Sequence, residues 1–113
     1  MAYIGIDVGT TGSKATVIEQ SGKIVLSIYH EYDLEFPKPG YVTMNPDRVW
    51  SAVKRALSEA AAQYGKPIEA IAAASFGEAV VFLDADGKPV CDSIFYTDVR
   101  GTESLPELRA KVD

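Results

Sequence analysis

Cysteine, histidine and tryptophan are scarce in this sequence, with one residue of each. The lone cysteine, Cys91, excludes an internal disulfide framework and suits a reducing compartment. Positive charge is also in short supply: 11 Lys and Arg face 16 Asp and Glu, for a net charge of −5. The basic residues are scattered singly except at Lys54-Arg55, so the clustered cationic face that a phosphate-backbone partner needs is missing and nucleic acid is disfavoured. No uncharged run exceeds the eight residues of Ala70 to Gly77, far short of the roughly 20 apolar residues of a membrane span. The start, Met1-Ala2-Tyr3-Ile4-Gly5-Ile6-Asp7, lacks a basic stretch and meets a carboxylate early, unlike a signal peptide. A cytoplasmic location is therefore expected, with no membrane partner. What is present is 47% hydrophobic and 24% charged residues over 113 positions, the composition of a globular chain with room for one domain.

Tyr3 to Val8 and Lys14 to Glu19 are apolar and β-branched, and Gly9-Thr10-Thr11-Gly12-Ser13 between them is a turn. Ser21-Gly22-Lys23 turns the chain again into Ile24 to Tyr32, which completes a three-stranded antiparallel meander. Asp33 to Asn45 is an irregular connection with Pro37, Pro39 and Gly40. A helix start follows, with Asn45 as N-cap, Pro46 at the first helical position and Asp47 in the first turn. Trp50, Val53, Leu57, Ala60 and Tyr64 form one apolar stripe, and Gly65 and Pro67 end the helix. Ile68 to Ser75 reads as a buried strand whose alanines pack closely against that helix. Ala79 to Leu83 and Val90 to Tyr96 flank a hairpin turn at Asp84 to Lys88, Thr97 to Gly101 is a polar loop, and Leu105 to Val112 begins another helix. The result is an α/β chain with a mixed sheet and one covering helix. Such a layer is unfinished, because the other sheet face needs cover too; the sequence reads as incomplete, and an exposed apolar face favours homo-oligomers.

The chemistry concentrates in Asp7-Val8-Gly9-Thr10-Thr11-Gly12-Ser13-Lys14. Converging backbone N–H groups hold a phosphate tail, and Gly9 and Gly12 are expected to take the positive-φ geometry of an anion nest. Thr10, Thr11 and Ser13 add hydroxyl donors and Lys14 adds a mobile cation. Asp7, at the end of a strand, is placed to hold a hydrated Mg²⁺, which takes one or two carboxylates plus phosphate oxygens. The segment is neither a P-loop nor a dinucleotide fingerprint, because no helix follows its glycines.

This segment resembles the first phosphate motif of the actin, Hsp70 and sugar-kinase superfamily. Three further stretches resemble the FGGY carbohydrate kinases, the family of glycerol, xylulose and glucono kinases. They are Pro39-Gly40-Tyr41-Val42 with Asn45-Pro46-Asp47-Arg48-Val49-Trp50, then Ile71 to Leu83 with Asp84 to Pro89, and Ile94-Phe95-Tyr96-Thr97-Asp98-Val99-Arg100. The resemblance implies a ribonuclease H-like, actin-like ATPase domain of which residues 1–113 are the N-terminal part, with a C-terminal domain absent. It implies ATP and Mg²⁺ as cofactors and a sugar or polyol as substrate. Asp7 would be the magnesium-associated aspartate, and Gly9, Thr10, Thr11, Ser13 and Lys14 the phosphate cradle. Gly77 and Glu78 match two substrate-contacting positions, Gly77 through its backbone and Glu78 by accepting hydroxyl hydrogen bonds. Tyr96 stands where the family has a substrate-packing tryptophan, and Asp98 and Arg100 match an Asp-x-Arg pair that either contacts substrate or fixes its loop by ion pairing.

Phe76-Gly77-Glu78 matches neither the Gln-Arg-Glu of glycerol kinase nor the Gln-Met-His of xylulose kinase, and is closer to gluconate-kinase-like branches. In this family the base is an aspartate beyond residue 113, so no catalytic residue is assigned and the chain alone is expected to be inactive. The competing reading is a non-catalytic nucleotide- or sugar-binding regulatory module of the same superfamily.

Overall fold

The computed structural model describes residues 1–112; Asp113, included in the expected domain, lies outside them. Strands β1 (Ala2–Val8), β2 (Gly12–Glu19) and β3 (Ile24–Glu31) form the antiparallel meander, and β5 (Ala70–Ser75) joins β1 in parallel, giving the order β3-β2-β1-β5. Between β3 and β5 run a two-residue strand β4 (Thr43–Met44) and helix α1 (Pro46–Tyr64). Strand β6 (Ser93–Ile94) pairs antiparallel with β4, and a 3-10 turn at Thr102–Ser104 leads into helix α2 (Leu105–Val112).

Alternation decides which face of the meander is buried. Ala2, Ile4 and Ile6 of β1 and Ala15 and Val17 of β2 point to one side, where they meet Val53, Ala56 and Ala60 of α1. Tyr3, Asp7 and Lys14 are on the opposite parity and exposed. Helix α1 begins as the sequence predicts: Asn45 Oδ1 accepts from the N–H groups of Asp47 at 3.0 Å and Arg48 at 3.2 Å. It ends at Gly65, whose φ of 66° closes a bond to the Ala61 carbonyl.

A second core of Tyr32, Val42, Met44, Ala52 and Phe95 lies at the end of the sheet, with Leu34, Val49 and Phe76 packed against it. It gathers segments that are distant in sequence, and the β4–β6 pair is part of it. These two strands fall inside stretches that read as irregular connection and longer strand. Two residues are too few for a period to show.

Two expectations are corrected. Strand β5 is not buried against α1: all six of its residues are exposed, because α1 leans on β2 and β3 and leaves this edge open. Trp50 is not in the buried stripe either but is 57% exposed, while Ala52 and Ala56 take the inward positions. Trp50, Val49, Val53, Ile6, Ala73 and Val81 instead line an apolar groove of about 490 Å³ beside β5. The hairpin turn is as expected, with Asp84 Oδ1 accepting from Asp86 and Lys88 N–H. Its arms pair through the Leu83–Pro89 bridge and the Val90 N–H to Phe82 carbonyl bond, not as two full strands.

Candidate active site

The carboxyl ends of the parallel pair β1 and β5 lie side by side, with Val8 opposite Ser75 and the Phe76 N–H reaching the Val8 carbonyl at 3.4 Å. The turn Gly9–Gly12 leaves β1 there, and Phe76-Gly77-Glu78 leaves β5 at the same end. Open α/β sheets bind ligands beyond the carboxyl ends of their strands, and both halves of the expected site emerge at that place.

Asp7 and Lys14 are directly opposed across β1 and β2. Both are exposed on the uncovered sheet face, where with Gly5, Thr16 and Ala72 to Ala74 they border a shallow, open hollow of about 390 Å³. Among the described residues neither takes part in an ion pair, so carboxylate and ammonium are both available to a ligand. The described residues hold no cluster of three or more His, Cys, Asp or Glu suited to enclosing a metal. One free hard-oxygen donor fits Mg²⁺, which completes its shell with water and phosphate oxygens, and fits no self-contained metal cage.

The glycines of the turn work differently from expectation. Gly9 and Gly12 are not among the glycines of positive φ. The turn closes by a bond from the Gly9 N–H to the Gly12 carbonyl at 2.9 Å. Gly12 is required for space: a Cβ there would lie 2.5 Å from the Tyr29 ring and 2.6 Å from the His30 carbonyl oxygen. Ser13 is also corrected. Its side chain follows the parity of Ala15 and Val17 and is fully buried, so its hydroxyl cannot reach a phosphate on the Asp7–Lys14 face. Thr10 is partly exposed and Thr11 exposed.

Two residues the sequence reading overlooked brace this turn. Tyr32 donates its hydroxyl to the Gly9 carbonyl at 2.5 Å and its N–H to the Thr11 carbonyl at 3.2 Å. The Tyr29 and Thr11 hydroxyls are 3.1 Å apart. Burial pushes the Tyr32 phenol above its ordinary value; the Ser13 hydroxyl opposes this, and Tyr29 and Asp7 add to it. The phenol is thus held as a donor. The available signal was a bulky aromatic on β3 near a glycine of β2, legible only once register is known.

Gly77 and Glu78 are exposed. Tyr96 is 58% exposed and no core residue; its ring packs against Phe95 at 4.5 Å, and Phe95 packs against Phe76 at 5.8 Å. This aromatic row brings the segment of Tyr96 beside that of Gly77 and Glu78.

Asp98 and Arg100 form the loop-fixing ion pair. Asp98 Oδ1 accepts from Arg100 N and Nε, each at 2.8 Å, and Oδ2 accepts from Arg100 Nη2 and Val42 N, each at 2.6 Å. Four donors fill the carboxylate's acceptor sites, and with its side chain 1% exposed Asp98 has nothing left for a substrate. The Arg100 hydrogen bonds, with that from Val42 N–H, hold its carboxyl well below the usual carboxylate range. Arg100 also stacks on Tyr41, 4.5 Å from the ring centroid. Gly40 completes the clamp: its φ is +80°, and a Cβ would fall 2.7 Å from Val99.

Residues 2–113 match the model of the FGGY family of carbohydrate kinases, N-terminal domain. A glycerol kinase of Aquifex aeolicus is 38% identical over 104 residues, covering 90% of this chain and 21% of the relative. The xylulose kinase structure from Rhodospirillum rubrum superposes with a TM-score of 0.92 at 28% identity, over 100% of this chain and 24% of that one. The gluconate kinase structure from Lactobacillus acidophilus gives 0.89 at 25% identity, over 97% and 22%. The chain spans about a fifth of the length of the curated relatives it matches.

Proposed function

Because the chain belongs to the FGGY family of carbohydrate kinases and has its actin-like fold, we propose that it supplies the phosphate and magnesium half, and part of the sugar half, of an ATP-dependent sugar or polyol kinase. The observation that carries this reading is the emergence of the 9–12 turn and the 76–78 segment side by side beyond β1 and β5, with Asp7 and Lys14 free beside them.

In this reading Lys14, the Thr10 and Thr11 hydroxyls and backbone N–H groups of the turn bind the phosphate tail of ATP. Asp7 would hold a hydrated Mg²⁺, which when bound would supply positive charge to offset that developing on the transferred group. Glu78 accepts hydrogen bonds from sugar hydroxyls, Gly77 offers its backbone, and Tyr96 presents a ring face to the apolar side of the sugar. Asp98 and Arg100 fix the loop bearing Tyr96. The proton of the attacking hydroxyl passes to a base outside residues 1–113, and a second domain closes over the reactants to exclude water. Without that base and the nucleotide pocket this chain by itself does not catalyse, and its exposed apolar groove beside β5 favours self-association.

A chimera tests the proposal. Residues 1–113 replace the matching N-terminal segment of the Aquifex aeolicus glycerol kinase, and ATP-dependent phosphorylation of glycerol, xylulose and gluconate is assayed. Activity is expected on at least one of them, lowered about 100-fold or more by Asp7→Asn, in line with the transition-state stabilisation a metal clamp supplies. A soluble, folded chimera that phosphorylates none of them, or one indifferent to Asp7→Asn, contradicts the proposal.

A further inference from the structure

A loop that binds an anion through backbone N–H groups must hold its peptide planes in place beforehand, since otherwise binding has to supply the ordering. The turn Gly9–Gly12 has one internal backbone bond and lacks the positive-φ glycines of a self-supporting nest. Its other restraints come from β3 and the residue after it. The Tyr32 phenol engages the Gly9 carbonyl, the Tyr32 N–H engages the Thr11 carbonyl, and the Tyr29 hydroxyl meets that of Thr11.

The consequence follows from peptide geometry. In a trans peptide the C=O and N–H point in opposite directions, so fixing the Gly9 carbonyl on the phenol also fixes the Thr10 N–H on the side away from it. An unrestrained Gly9–Thr10 peptide could turn its carbonyl toward a phosphate and repel it. Tyr32 is itself buried, 8% exposed in the second core among Val42, Met44, Ala52 and Phe95. Tyr29 is more exposed, and its ring lies over Gly12 where no Cβ fits.

We infer that Tyr32 and Tyr29 are positioning residues for phosphate binding, the first by setting the Gly9–Thr10 peptide plane and the second by holding the Thr11 hydroxyl. The inference rests on the reading of residues 9–14 as a phosphate cradle. It ties the second core, which also carries Phe76 and Phe95, to the nucleotide turn through Tyr32.

The test titrates the 113-residue chain with magnesium tripolyphosphate in a calorimeter, for the unaltered sequence, Tyr32→Phe and Tyr29→Phe. Each variant keeps its ring and loses only the hydroxyl. Tyr32→Phe is expected to weaken binding about three- to tenfold, the factor a neutral hydrogen bond supplies, with faster amide exchange at Thr10 and unchanged exchange within α1. Tyr29→Phe is expected to weaken it about two- to fivefold, since its bond is exposed. Folded variants that bind as tightly as the unaltered chain overturn the inference and leave the cradle reading standing. Failure of the unaltered chain to bind overturns both. If Tyr32→Phe does not fold, Tyr29→Phe carries the test alone, and unchanged affinity overturns the inference.

Discussion

Asp98 shows how one residue's hydrogen bonds decide its role. A carboxylate near an expected sugar site invites assignment to the substrate, yet its two oxygens take four donors from Arg100 and Val42. The pairing fixes the sign of a pH effect. Because Arg100 holds the folded-state carboxyl below its ordinary value of 3.8, its contribution to stability is complete above that value and declines as the pH falls below it. The protection of the Val42 amide, its exchange rate relative to the intrinsic rate at each pH, is therefore expected to hold down to the ordinary carboxylate range and to fall below it, whereas Asp98→Asn lowers it at neutral pH and removes that fall. The same acid profile in the variant would contradict the clamp. The Asp-x-Arg spacing was legible in the sequence, and the ion pair was one of its two readings. Its third partner, Val42, lies 56 residues away in sequence and could not be inferred without the fold.

At the scale of elements, local signals were read well and long-range ones poorly. Asn45-Pro46-Asp47 states a helix start in local chemistry, and Asn45 caps α1 as the sequence implies. Asn45→Ala is expected to destabilise the chain by about 1 kcal/mol, read as a lower denaturant midpoint with unchanged slope; no change would mean that tertiary packing alone sets the helix start. The meander was equally legible, because short turns and alternating parity fix it. The alanines of Ile68 to Ser75 suit a strand packed closely against the helix, which is why the sequence implies burial there. Whether it is covered depends on where α1 lies, and α1 lies over β2 and β3. Trp50 differs for a related reason: its spacing puts it near the stripe, but the buried positions are Ala52, Val53, Ala56 and Ala60, of which Val53, Ala56 and Ala60 pack against the sheet and Ala52 in the second core. Ser13 and Lys14 are neighbours in sequence and on opposite faces, so counting both as phosphate donors ignored the strand's alternation.

The whole molecule is longer than its residue count suggests. Its radius of gyration is 17.9 Å and its longest extent 55 Å, against about 13 Å expected for a compact domain of this length. Several segments bury little: Val80 to Leu83 and Val90 of the hairpin are exposed, and no residue of α2 is buried. Buried side chains gather in two cores, one beneath α1 and a second at the end of the sheet. The relatives it matches are four to five times its length. None of the helices described is long and apolar enough to cross a membrane. The proposed role of the sheet end where β1 and β5 terminate is phosphate binding by the 9–12 turn with Asp7 and Lys14 beside it. It is tested most directly by following backbone amide resonances while magnesium tripolyphosphate is added to the 113-residue chain. Shifts concentrated at residues 7–14 and lost in Lys14→Ala are expected; absent shifts, or shifts centred elsewhere on the molecule, would contradict phosphate binding at this turn.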